Sequence, residues 1–186
     1  GLNETDRDLA SIEVLKKINI ESSSFNDQVV YKPGFLKTGQ GKPFSIFTPF
    51  KRRWVENFDM NFFDMVRPLK SKRSSPIQSD ISALKFVKTH SANIDLWPAG
   101  EDAAQEKLAN FLKSKAESYS ESRNSPIVDG TSRISAYLAL GILSPKRCIL
   151  EGLKLNNFEF TSGNKGICKW IDEIVWREFY RNIMYS

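Results

Sequence analysis

Apolar residues recur at helical spacing through most of this chain, and polar or Pro/Gly-marked breaks divide them into short segments. Leu9, Ile12 and Leu15 predict a helix over residues 5–17, capped by Thr5 or Asp6. Short apolar runs at 18–20 and 28–31 flank a Ser-rich turn and read as strands, the second ended by Lys32-Pro33-Gly34. This α/β pattern is too short for a complete sheet and reads as the tail of one whose other strands lie outside the sequence. Thr48-Pro49 marks a helix start that turns Phe50, Trp54 and Val55 inward, with Lys51, Arg52 and Arg53 alongside. Periodicity is lost over 67–95, a stretch of Lys, Arg, Ser and Thr read as an interdomain linker with one short element near 84–86.

After Trp97-Pro98-Ala99-Gly100 a helix is predicted with Ala104, Leu108, Phe111, Leu112 and Lys115 on one side. Glu101 and Asp102 stand in its first turn, where the helix dipole favours acids. Residues 118–128 read as a loop. Thr131 or Ser132 starts the next helix and Gly141 ends it; Ser144-Pro145 starts another, to about 155. A polar loop over 156–165 leads to the last helix. At 100° per residue, Ile171, Val175 and Phe179 share one face of that helix, which is expected to be its core side. Trp170, Ile174, Arg177 and Arg181 fall roughly opposite, and Glu173, Trp176 and Tyr180 form an adjoining flank. Arg177 can pair with Glu173, and Arg181 with Glu178, at helical spacing.

Composition narrows the class. The chain has 186 residues, 40% hydrophobic and 12% aromatic, enough for a packed core and against global disorder. A net charge of +5 is compatible with a nucleic-acid partner without demanding one. Cys148 and Cys168 have no metal or redox spacing and read as reduced, mostly buried thiols. No apolar run reaches membrane-spanning length and no signal-like start is present, so a soluble, intracellular (cytoplasmic) protein is expected.

Two segments carry candidate chemistry. Residues 129–135 place Thr131, Ser132 and Ser135 hydroxyls and the Arg133 charge at a predicted helix start, which suits a phosphate. Composition alone favours an ordinary capped helix there, and no Walker loop or GxGxxG motif is present. In the last helix, the Trp, Tyr and carboxylate flank suits a stacked planar ligand or an extruded base. An ordinary mixed helix explains those residues equally well.

The order and spacing of TSRIS (131–135), AYLALGILSP (136–145) and WIDEIVWREFY (170–180) resemble the flavin-binding region of the DNA photolyase/cryptochrome family. Tyr119 and Arg123 stand before TSRIS as in that family, and WPAGE precedes a long helix. NETDRD, Lys32-Pro33-Gly34 and FTPFKRRW resemble the end of the family's antenna domain. The likeness is greatest to folate-type (class I) cyclobutane pyrimidine dimer photolyases, and the sequence reads as an internal fragment of such a protein.

The resemblance implies a mainly α chain. Residues 1–47 would be the remnant of a Rossmann-like α/β antenna domain, 48–96 a connecting helix and linker, and 97–186 the first part of an all-helical FAD-binding domain. It implies light-driven repair of pyrimidine dimers by electron transfer from reduced FAD, in a monomer that binds DNA and no membrane. Tyr119, Thr131, Ser132, Arg133, Ile134, Ser135, Trp170, Glu173, Arg177 and Tyr180 would hold FAD. Glu173 and Trp176 would meet the flipped dimer, and Arg123 the DNA backbone. Asn3 and Glu4 would contact a folate antenna (5,10-methenyltetrahydrofolate). The family has Asn where this chain has Asp172. A cryptochrome-type photoreceptor without repair and a flavin-free helical DNA-binding module are the alternatives; Glu173 and Trp176 beside Arg123 favour repair.

Overall fold

The computed structural model describes residues 2–61 and 96–185, with side chains from residue 6 onward. The helices are α1 (Leu2–Lys17), α2 (Phe47–Glu56), α3 (Glu101–Ser114), α4 (Tyr119–Ser122), α5 (Ser135–Leu140), α6 (Pro145–Leu155) and α7 (Lys165–Tyr185). The linker expected over 67–95, with its short element near 84–86, lies outside the described residues. So do the side chains of Asn3 and Glu4, on the first turn of α1.

The chain is mainly α, and α7 is its axis. Helices α2, α4 and α6 pack directly on it, and α3 packs on α6. Its buried residues include Ile167, Trp170, Ile171, Ile174, Val175 and Phe179, which together span about half of its circumference. The division expected from the helical wheel, with Trp170 and Ile174 on an open wall, therefore does not hold. Trp170 and Ile174 are covered because α4 and α6 occupy the side expected to be open.

Local chemistry fixes where α7 begins. Asn164 Oδ1 accepts the N–H groups of Gly166 (2.8 Å) and Ile167 (3.1 Å), a side-chain cap on two otherwise unpaired donors. Asn156, also buried, ties the preceding loop: its Nδ2 donates to the carbonyls of Glu159 and Ser162, and its Oδ1 accepts the Asn164 N–H. A Cβ at Gly166 would stand 2.2 Å from the Glu117 carbonyl, so glycine is required for α7 to approach the turn before α4.

Several expectations are corrected. Residues 18–20 and 28–31 are not strands, and among the described residues there is no strand. The Val30 and Tyr31 N–H groups are taken by a side chain of α7 instead of a sheet ladder. Helix α2 begins at Phe47, with Thr48 and Pro49 inside its first turn, where a missing N–H loses no intrahelical bond. The predicted loop at 118–128 contains the one-turn α4. Helix α5 starts at Ser135 rather than at 131 or 132. Arg133 is left-handed (φ 51°), and its carbonyl accepts the Trp97 indole N–H at 3.0 Å, which interrupts any earlier helical turn. Gly141, also left-handed, ends α5 as predicted. The Cys148 thiol is fully buried, and burial pushes it up to about 12. Cys168 is half-buried and donates to the Ser162 carbonyl.

Candidate functional site: the exposed flank of α7

The packing of α4 on α7 brings together residues 50 positions apart in the sequence. Tyr119 is buried edge-on against Phe111, with ring centroids 5.7 Å apart, and the Arg123 guanidinium lies 5.7 Å above its ring. Arg123 Nη1 donates to Glu173 Oε1, and Lys169 Nζ sits 3.5 Å from the same oxygen, one turn earlier on α7. Glu173 is thus flanked by two cations at a half-exposed position. Burial raises the Tyr119 hydroxyl above its usual range, and the Glu173 charge adds to that while Arg123 opposes it. The hydrogen bond to Glu173 raises Arg123 in turn.

One turn further along α7 stands an aromatic cluster. The Trp176 ring lies flat against Phe47 of α2, with centroids 3.7 Å apart and planes 9° from parallel. Tyr180 stacks on Trp176 at 5.5 Å, and Phe179 meets it edge-on. Tyr180 is 57% exposed, so this cluster reaches the surface. Trp170 does not join it. Its side chain is buried against Phe111 and over Gly152. The Asp172 carboxylate, at the position where the family resemblance leads to Asn, pairs with Lys51 of α2 at 2.6 Å. The acid at this position therefore anchors α2 to α7.

The 129–135 segment is a separate charged patch. Asp129 accepts from Lys115 (2.6 Å) and pairs with Arg133 (3.1 Å); the Lys115 hydrogen bond is the main cause of its lowered pKa. Ile134 is buried and anchors the segment, whereas Thr131 and Ser135 are exposed. Among the described residues the hydroxyls of Thr131, Ser132 and Ser135 have no hydrogen-bond partner.

Arg177 does not pair with Glu173. Its guanidinium donates to the carbonyls of Gln28 and Leu138, tying the 28–34 segment and α5 to α7, and burial lowers its pKa. Nor does Glu178 turn outward toward Arg181. It is 5% exposed and accepts from Val30 N–H (2.7 Å), Tyr31 N–H (3.0 Å) and the Trp54 indole (2.9 Å). Burial pushes its carboxyl up to about 7, against the pull of those donors and of Arg177. The sequence held a signal for this: Glu178 follows Ile171 by seven residues, two helical turns, and so shares the buried face.

Among the described residues no cluster of His, Cys, Asp and Glu is placed to hold a metal, and no helix is long and apolar enough to cross a membrane. An open groove of about 310 Å³ between α3 and α6, bordered by Leu108, Leu112, Arg147 and Glu151, includes none of the expected site residues.

Comparison with known proteins agrees with this architecture. Residues 1–72 match the family model for DNA photolyase. The chain is 33% identical over 183 residues to the deoxyribodipyrimidine photo-lyase of Escherichia coli (strain K12), covering 98% of this chain and 38% of that protein. The counterpart from Salmonella typhimurium is 34% identical over the same shares. A crystal structure of a bacterial class III photolyase from Agrobacterium tumefaciens matches with a TM-score of 0.77 at 27% identity, over 97% of this chain and 38% of that one. The helical body around one long helix is thus similar in fold to a photolyase. The chain is similar to DNA photolyases over nearly all of its own length, and it spans 38% of the length of these curated relatives.

Proposed function

We propose that this chain supplies the lesion-facing surface and part of the flavin site of a deoxyribodipyrimidine photolyase, which splits cyclobutane pyrimidine dimers in DNA under blue light. The observation that carries this reading is the Arg123–Glu173 pair set one helical turn from Trp176 on α7. A cation suited to a phosphate, an acceptor suited to a base edge and an aromatic ring within one turn support recognition of an extruded nucleotide.

FAD, when bound, supplies the electron that opens the dimer. The donor set of the 129–135 segment fits its diphosphate: the exposed Thr131 and Ser135 hydroxyls, the half-buried Ser132 hydroxyl, and Arg133. The Asp129 carboxylate holds Arg133 in place until an anion competes for it. Tyr119, Ile134, Trp170, Arg177 and Tyr180 complete the proposed flavin-side set. Within it, buried Trp170 and the carbonyl-tied Arg177 shape the pocket from behind. Asn3 and Glu4 are proposed to meet a folate antenna. Arg123 holds a DNA phosphate and orients the Glu173 carboxylate, which accepts from a base and stabilises charge that develops on the dimer. Trp176 packs against the dimer.

The test is repair of ultraviolet-damaged DNA by the longer protein that contains this chain. Blue-light-dependent loss of cyclobutane dimers, abolished when both Glu173 and Trp176 are replaced by Ala, is expected. Undiminished repair by the double variant overturns the reading.

A further inference from the structure

A row of polar side chains on the inner face of α7 holds the main chain of residues 28–34. Arg177 donates to the Gln28 carbonyl, Glu178 accepts the N–H groups of Val30 and Tyr31, and Asn182 Oδ1 accepts the Gly34 N–H at 2.8 Å. These side chains do for the segment what a neighbouring strand does in a sheet. Glu178 differs from the other two because it also takes the indole N–H of Trp54, so it joins the segment to α2 as well as to α7. A carboxylate so deeply buried is strongly unfavourable unless its oxygens are paired, and these three donors pair both oxygens.

Helix α2 meets α7 again at its other end. Phe50 packs on Phe179, with centroids 5.2 Å apart, and Phe47 lies flat on Trp176. A hydrogen-bonded helix of 10 residues moves as a stiff rod, so the position of its Trp54 end constrains its Phe47 end. At 3.7 Å the Phe47 ring leaves no room for a base between itself and Trp176; it serves as a backing surface that fixes the plane of the indole.

We propose that Glu178 is a positioning residue for Trp176: by gripping residues 30–31 and the Trp54 indole it sets α2 on α7, and α2 holds Phe47 flat behind the Trp176 ring. Its bearing on DNA rests on the reading that Trp176 packs against a base. The coupling itself does not, and it is measured without DNA, so the two can fail separately.

The test uses the full chain labelled with 5-fluorotryptophan and observed by fluorine NMR. The chain contains 4 Trp, and Trp176→Phe assigns the signal of interest. Phe47→Leu removes the stacked ring and defines the unstacked position of that signal. Trp54→Phe keeps an aromatic ring but deletes the indole N–H; Glu178→Gln puts an amide donor against one of the N–H groups that the carboxylate accepts. Both are expected to move the Trp176 signal at least half-way toward its position in Phe47→Leu, while Met184→Ala, an exposed site on the same helix, leaves it in place. If Glu178→Gln does not fold, Trp54→Phe decides alone, since it leaves the carboxylate and its two main-chain donors intact. A Trp176 signal that stays at its wild-type position in Trp54→Phe overturns the proposal and leaves Glu178 with a local role in holding residues 30–31.

Discussion

Glu178 and Glu173 are carboxylates on one helix, five residues apart, with opposite surroundings. Glu178 faces neutral N–H donors in the interior, and burial raises it from 4.5 to about 7. The folded protein therefore holds this proton more tightly than the unfolded chain does. The contribution to stability is fully present below pH 4.5 and is lost as pH rises through about 7. A shift of this size corresponds to about 3 kcal/mol. Urea unfolding at pH 5 and pH 8 is expected to show wild type losing more stability toward pH 8 than Glu178→Gln, which has no proton to release. Equal pH dependence in the two would exclude this assignment. Glu173, flanked by Arg123 and Lys169, serves the surface instead. In the longer protein, Glu173→Ala is expected to lower repair per photon absorbed while damaged-DNA affinity stays within a few-fold, because its proposed contact strengthens only as charge develops. Trp176→Ala is expected to weaken that affinity by about 1–3 kcal/mol, the usual contribution of a stacked aromatic per base. Quantum yield and affinity, measured together, separate the two roles.

The helices were largely legible because periodicity and punctuation agreed. Ala104, Leu108 and Phe111 marked the buried side of α3, and Gly141 and Pro145 closed α5 and opened α6 where the sequence placed them. What the sequence hid was partnership. Residues 28–31 have the apolar, β-branched character of a strand, yet their amides bond to a side chain 148 residues away, which no local pattern encodes. The turn that became α4 is too short for a period. The candidate site was legible as residues rather than as an arrangement: Arg123 beside Glu173 was foreseeable from the resemblance, whereas Phe47 behind Trp176 and Trp170 in the interior were not. At this scale the junction before α7 is the most exacting. Gly166→Ala would drive a methyl group to 2.4 Å or less from two carbonyl oxygens, at Ala116 and Glu117. Overpacking against main chain costs about 1–3 kcal/mol. Asn164→Ala, losing the cap, costs about 1 kcal/mol. Thermal unfolding should rank Gly166→Ala as the less stable; the reverse order would mean that α7 shifts to relieve the contact.

Across the whole molecule, Lys and Arg outnumber Asp and Glu 27 to 22, and many of these charges are paired within the structure, among them Lys51, Lys115 and Arg123. A proposed DNA contact by Arg123 can therefore be weighed against the bulk charge. Arg123→Ala should reduce the slope of log affinity against log salt by about 0.9, one phosphate's worth, whereas Arg7→Ala on α1 should leave it unchanged. Equal slopes in wild type and Arg123→Ala would remove Arg123 from the interface. The dependence of residues 28–34 on α7 has a further consequence during synthesis. At translation rates of roughly 5–20 residues per second, the 148 residues between Val30 and Glu178 take roughly 7–30 s to emerge, and Val29, Val30 and Tyr31 wait that long for their cover. Nascent chains arrested before α7 has left the ribosome should be cut readily by protease near residues 28–34, and chains arrested beyond it should resist. On the ribosome, this early segment is thus a client for whatever shields exposed apolar chain, and its release depends on the arrival of one late helix.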